Sequence, residues 1–142
     1  MNTETQACIF CEIARGACDA SMVFEDDLTV AFMDLRQFHP GHTLVIPRQH
    51  VPDVRDLDAA TGAALMASVV RVTRAVSSAF PSEGISLWHS IGPAAFQEVP
   101  HLHVHVHPRK PNDDFLRVYP GEPPMADRAT RDSFAARIRE HL

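Results

Sequence analysis

Three cysteines in 142 residues are too few for the disulfide framework of a small secreted domain. Basic charge is also scarce: 13 Lys and Arg against 18 Asp and Glu give a formal net charge of -5 and a pI near 5.9. A surface that displaces counterions from nucleic-acid phosphates needs the opposite balance, so a duplex-binding role is disfavoured. No apolar run approaches the roughly 20 residues that cross a bilayer, and the start, MNTETQAC, is polar. The expectation is a soluble, cytoplasmic protein with no membrane partner. Repeats and low-complexity tracts are missing as well. With 45% hydrophobic and 22% charged residues, the chain has the make-up of one ordinary globular domain, expected to span 1–142.

The apolar pattern predicts a mixed set of elements. Residues 9–15 suit a short helix. Residues 22–24 and 28–32 read as a hairpin, because Glu25, Asp26 and Asp27 between them suit a tight turn. Residues 43–46 form a β-branched run closed by Pro47, a third strand. Leu65, Val69, Val72, Val76 and Phe80 recur at helical spacing and predict one face of a long helix that stops before Pro81. Residues 85–88 and 101–106 read as neighbouring strands with a loop between them, and residues 126–141 as a closing helix after a proline-rich stretch.

Within HLHVHVH, residues two apart on a strand share a side of the sheet at roughly 6.8 Å. His101, His103, His105 and His107 therefore face one way, and Leu102, Val104 and Val106 face the core. A wet strand face has no need of four copies of the one side chain that titrates near neutrality. Two chemistries use such a face. Neutral imidazoles two apart can chelate a metal with an open catalytic position, or one imidazole can attack phosphorus while its neighbours orient it. Spacing does not choose between them. Cys8 and Cys11 carry CxxC spacing, which by itself fits a metal site or a pair of buried or redox-active thiols equally well.

GHTLVIPRQH at 41–50 followed by QEVPHLHVHVHPR at 97–109, with CIFCEI at 8–13 and AFMDL at 31–35, resembles the histidine triad (HIT) family in its zinc-containing bacterial branch. The similarity covers about residues 7–110 and leaves 111–142 as a tail. The resemblance implies an α+β fold: an antiparallel sheet of about five strands, one long and one short helix, with the C-terminal helix in addition. It also implies a homodimer whose sheets join, a purine nucleotide substrate, and cleavage at the α-phosphorus through a nucleotidyl-histidine. Carried over position by position, His103 is the nucleophile, its Nδ1 held by a backbone carbonyl, and His105 contacts the phosphate or the leaving-group oxygen. Gln97 and Ser90 are phosphate contacts, and Asp34 accepts from both ribose hydroxyls. Phe10, Phe32 and Leu35 line the base pocket, and His42 packs behind the triad. Cys8, Cys11, His50 and His101 match the ligands of a structural zinc. Four protein ligands close such a site, so no catalytic metal is expected.

The departures lie mainly in the loop before the triad. Ser90 stands where an asparagine is common and Phe96 where a glycine is, so a positive φ at Phe96 would be costly. Glu98 has no evident role, His107 replaces an apolar residue and is expected at the rim or a dimer edge, and His89 is expected at the core edge. The sequence supports a nucleotide hydrolase or nucleotidyl transferase, against two rivals: a nucleotide-binding module with little turnover, and a metal-dependent hydrolase using the histidine face.

Overall fold

The computed structural model describes residues 8–116 and 120–142; of the polar start, residues 1–7 lie outside them. Helix α1, Ile9–Ala14, is followed by strands β1, Met22–Glu25, and β2, Thr29–Met33. They are the expected hairpin, and the acidic turn closes it: Asp26 Oδ1 accepts from the backbone N–H of Leu28 at 3.0 Å and of Thr29 at 2.8 Å. Strand β3 is Thr43–Pro47, helix α2 is Ala59–Ala79, strand β4 is Gly84–Trp88 and strand β5 is Val104–Arg109. The five strands form one antiparallel sheet in the order β1-β2-β3-β5-β4. The fold is α+β, as the sequence suggests.

Helix α2 starts at Asp58, whose side chain accepts from Thr61 N at 2.8 Å and so satisfies one of the free first-turn donors. Its face of Leu65, Val69, Val72 and Val76 is buried with Ala31, Val45, Leu102 and Val106 of the sheet and its approach. A hydroxyl contact of 2.6 Å between Thr29 Oγ1 and Ser68 Oγ fixes the helix over β2. At 21 residues and a mean hydropathy of 1.2 this helix is long and apolar enough to cross a membrane, which corrects the expectation that no segment is. One face of it is buried against the sheet, while Met66 and Val70 are exposed. Phe80 leaves the buried face at the helix end and lies over Gly41 instead. Gly41 has φ +106, and a Cβ there would sit 2.8 Å from Phe80 Cδ2, so the turn that delivers His42 requires glycine.

The opposite sheet face carries Val30, Phe32, Leu44 and Ile46, packed with Phe10, Cys11, Ile13 and Ala14 of α1. His105 is paired with Leu44 in the β3–β5 register, so it projects to this side. The long helix therefore backs the sheet, and the histidines occupy the face that α1 covers.

Strand β5 begins at Val104, three residues later than the alternation predicts. The backbone before it has other partners: Leu102 N donates to Val51 O at 2.8 Å and His101 N to Val99 O at 2.9 Å. Pairing demands on the main chain override the period-two pattern there. Residues 112–142 form a separate compact unit, whose helix α3, Arg128–Arg139, is capped by Asp127 accepting from Thr130 N at 2.8 Å.

Candidate functional site

Cys8, at the N-cap of α1, and Cys11, within it, face His50, just past β3, and His101, just before β5. Among these four residues the potential ligand atoms all lie within 4.8 Å of one another. Cys8 Sγ is 3.5 Å from His101 Nδ1, Cys11 Sγ is 3.2 Å from His50 Nδ1 and 3.5 Å from His101 Nδ1, and the two Nδ1 atoms are 3.3 Å apart. A tetrahedral ion with bonds near 2.0–2.3 Å sets such ligand atoms about 3.3–3.7 Å apart, so the set fits. His101 Nε2 donates to Pro47 O at 2.8 Å, which leaves the Nδ1 lone pair for a ligand bond. Burial, then the neighbouring Cys8, push the Cys11 thiol up to about 11, and burial holds His101 down near 4. Both cysteines are free of disulfides. The raised Cys11 thiol and the neutral His101 imidazole belong to a set that a cation would complete by displacing protons.

His103 is buried, with its Nδ1 2.7 Å from His101 O. A carbonyl can only accept, so Nδ1 carries the proton and Nε2 keeps its lone pair. The Phe10 ring meets the imidazole edge-on, with centroids 5.1 Å apart. This places Phe10 against the triad, within a core that also holds Phe32, 5.4 Å from it. Leu35, the third expected wall of a base pocket, is fully exposed in the segment after β2.

His42 and His105 form a hydrogen-bonded pair beside His103. His42 Nδ1 donates to Arg36 O at 3.3 Å, so its Nε2 accepts from His105 Nδ1 at 2.9 Å, and His105 Nε2 is left with a lone pair. Burial lowers the His42 pKa against the opposing pull of Asp34 and the Arg36 carbonyl. Burial, then His103 and His42, push His105 down to about 3. Trp88 of β4 stacks flat on His105, with centroids 4.2 Å apart and planes 6° from parallel. That contact depends on the β4–β5 register, Trp88 opposite His105, and no local sequence signal carries it.

The depressed pKa of His105 has a defined effect on stability. Between pH 6.5 and about 3 the unfolded chain binds this proton and the folded chain does not, so stability falls as pH drops through that window. Urea midpoints measured across it should decline, and the decline should be shallower in His105→Asn.

Asp34 Oδ1 accepts from Arg36 N at 2.7 Å, and its Oδ2 lies 3.7 Å from His42 Nε2. Ser90 is half-buried just beyond β4. The Gln97 amide is engaged at both ends: Oε1 accepts from Gly92 N at 2.9 Å and Nε2 donates to Pro52 O at 2.7 Å. Here it braces the loop, whereas the sequence suggested a phosphate contact. Phe96 does adopt the left-handed region, φ 63 and ψ 34, with its ring exposed. Since a side chain there is strained and this one packs against little, Phe96→Gly should raise stability by about 0.5–1 kcal/mol, read from urea midpoints.

His107 is 0% exposed, which corrects its expected place at a rim. Its Nε2 is 3.3 Å from His39 Nδ1, and its ring meets His42 edge-on at 4.5 Å. The sequence pattern does not single out His39, which is buried and whose Nδ1 donates to Pro108 O at 2.8 Å. His89 accepts from Val54 N at 3.3 Å, beside the site.

A family model described as HIT domain matches residues 15–112. The adenosine 5'-monophosphoramidase hnt1 of Schizosaccharomyces pombe is 33% identical over 109 residues, 77% of this chain and 78% of that protein. The crystal structure of a HIT family member from Bacillus subtilis superposes with a TM-score of 0.89 at 30% identity, covering 96% of this chain and 97% of that one. A zinc-bound histidine triad family protein from Mycobacterium smegmatis gives a TM-score of 0.70 at 31% identity, covering 97% of this chain and 99% of the other.

Proposed function

The chain belongs to the HIT family, and we propose on that footing that it is a nucleotide hydrolase acting at the α-phosphorus of a purine nucleotide derivative, with His103 as the nucleophile. The observation that carries this reading is the 2.7 Å bond from His103 Nδ1 to His101 O. It fixes the tautomer that presents a nucleophilic Nε2. The relative named a phosphoramidase acts on a phosphorus–nitrogen bond next to adenosine, chemistry that this arrangement suits.

In the first step Nε2 of His103 forms a bond to the α-phosphorus while the bond to the leaving group breaks, and the leaving group takes the electron pair and a proton. The negative phosphate favours the protonated form of His105. With Nδ1–H still held by His42, His105 Nε2 delivers that proton. In the second step water attacks phosphorus, neutral His105 takes the water's proton, and the P–N bond electrons return to His103. Asp34, with Oδ1 on Arg36 N and Oδ2 directed to the His42 side, receives the ribose diol. Gln97 must exchange a loop contact for a phosphate oxygen, or leave that task to Ser90.

Cys8, Cys11, His50 and His101 would hold zinc, which would fasten α1 to the sheet and supply no chemistry at phosphorus. Among the described residues strand β4 pairs only with β5, and its outer edge is where the sheet of a second copy would join. The test is a panel of adenine and guanine nucleotides with amine, nucleotide and acyl leaving groups, scored by released nucleoside monophosphate. Release from at least one, in the presence of a chelator, is expected. Tight nucleotide binding with no release from any of them would make the protein a binding module.

A further inference from the structure

We infer that Asp34, His42 and His105 form a second, regulatory site for a divalent transition cation such as zinc, and that occupancy of this site excludes nucleotide. The inhibitory part rests on the nucleotide reading above; the cation site itself does not.

The ligand atoms of these three residues all lie within 4.8 Å of one another. His42 Nε2 is 2.9 Å from His105 Nδ1 and 3.7 Å from Asp34 Oδ2. With metal–nitrogen bonds near 2.05 Å, a 2.9 Å separation already gives an N–metal–N angle of about 90°, and parting the nitrogens by about 0.4 Å gives a tetrahedral one. The 3.7 Å separation from the carboxylate is close to the span of two ligands on one ion.

Two of the three ligands are held from behind, as metal ligands usually are. The Arg36 carbonyl accepts from His42 Nδ1 and directs its Nε2 lone pair inward, and Arg36 N holds Asp34 Oδ1 while Oδ2 faces the histidines. One residue, Arg36, therefore orients both through its main chain. The third ligand is fixed by stacking, with the Trp88 indole 4.2 Å from the His105 imidazole. At present a single proton joins the two nitrogens. A cation that replaces it moves that proton to His105 Nε2 or to solvent, and the two nitrogens part by about 0.4 Å to take a tetrahedral angle. Two imidazoles and one carboxylate leave positions open for water, so the site differs in kind from the closed Cys2His2 set.

Occupancy would antagonise nucleotide for two reasons. It takes the Asp34 oxygen assigned to the ribose, and it ends the His105–His42 bond that lets His105 shuttle a proton.

The test begins with protein carrying one tightly held zinc per chain, titrated calorimetrically with Zn2+. A second equivalent is expected. Asp34→Asn keeps the bond from Arg36 N but removes the anionic ligand. It should weaken the second equivalent at least about 100-fold, more than loss of an orienting partner does, and leave the first in place. His103→Asn should retain both. Adenosine, which has no phosphate to bind zinc itself, should weaken the second equivalent, and zinc should weaken adenosine by the same factor. No second equivalent, or one that Asp34→Asn leaves unchanged or His103→Asn abolishes, overturns the site. If adenosine binds without competing, the antagonism is wrong. If adenosine fails to bind at all, it is the nucleotide reading that fails, and the Asp34→Asn arm still decides the cation.

Discussion

In His103→Asn, turnover should fall about a thousandfold or more, equivalent to about 4 kcal/mol of barrier, while nucleotide affinity stays within a few-fold of the parent. Asparagine can keep a donor near His101 O but offers no nucleophilic ring nitrogen. The variant therefore separates a covalent role from a packing role. The Phe10 ring, 5.1 Å away, loses an edge contact, and stability should drop only slightly. Metal content should not change, because His103 is absent from the Cys8, Cys11, His50 and His101 group. Unchanged turnover would mean that the fixed tautomer serves something other than attack on phosphorus.

The second large effect concerns the metal. A cation bound at a free concentration about 1,000 times its Kd stabilises the folded state by about 4 kcal/mol, and for a chain of this size each kcal/mol moves Tm by about 2–4 °C. Chelation, or Cys11→Ser, should therefore lower Tm by about 8–16 °C, with recovery on zinc addition to the chelated protein. The damage should spread from α1. Cys11 sits among Phe10, Ile13 and Ala14 in the cluster that covers Phe32 and Leu44, and His101 supplies the carbonyl that orients His103. Activity should then be lost in step with folding. A catalytic metal would instead abolish turnover at temperatures where circular dichroism and Tm remain those of the loaded protein.

Much of this organisation is legible in the sequence wherever local pattern and burial coincide. The spacing of Leu65, Val69, Val72 and Val76 marks the face of α2 that is buried, and the acidic turn at Asp26 marks the first hairpin. The metal-type residues Cys8, Cys11, His50 and His101 lie far apart in the chain, yet the family resemblance groups them and the fold brings their side chains together. The features that local pattern does not carry depend on partners distant in sequence. Strand β5 starts late because Leu102 N is paired with Val51 O, a contact that alternation does not encode. A rim position suits His107 only as long as its neighbours are unknown; His39 and His42 enclose it, so the polar residue is accommodated by histidines from another segment. The resemblance assigns Gln97 to phosphate, yet Gly92 N and Pro52 O take both ends of its amide. Phe96 adopts the positive φ that its side chain disfavours, so the loop geometry is imposed by contacts such as those of Gln97 and not by local preference. Trp88 reads from sequence only as strand, although its flat contact with His105 makes it part of the site.

In the proposed mechanism His103 Nε2 becomes covalently bound to phosphorus. The most direct measurement is rapid quench of the protein with a radiolabelled adenylyl substrate under alkaline conditions, with peptide mapping by mass spectrometry. An adenylyl group is expected on the peptide containing His103, forming and decaying at rates that match turnover and absent from His103→Asn. Turnover with no adduct on that peptide at any quench time, or an equally active His103→Asn protein, would contradict it.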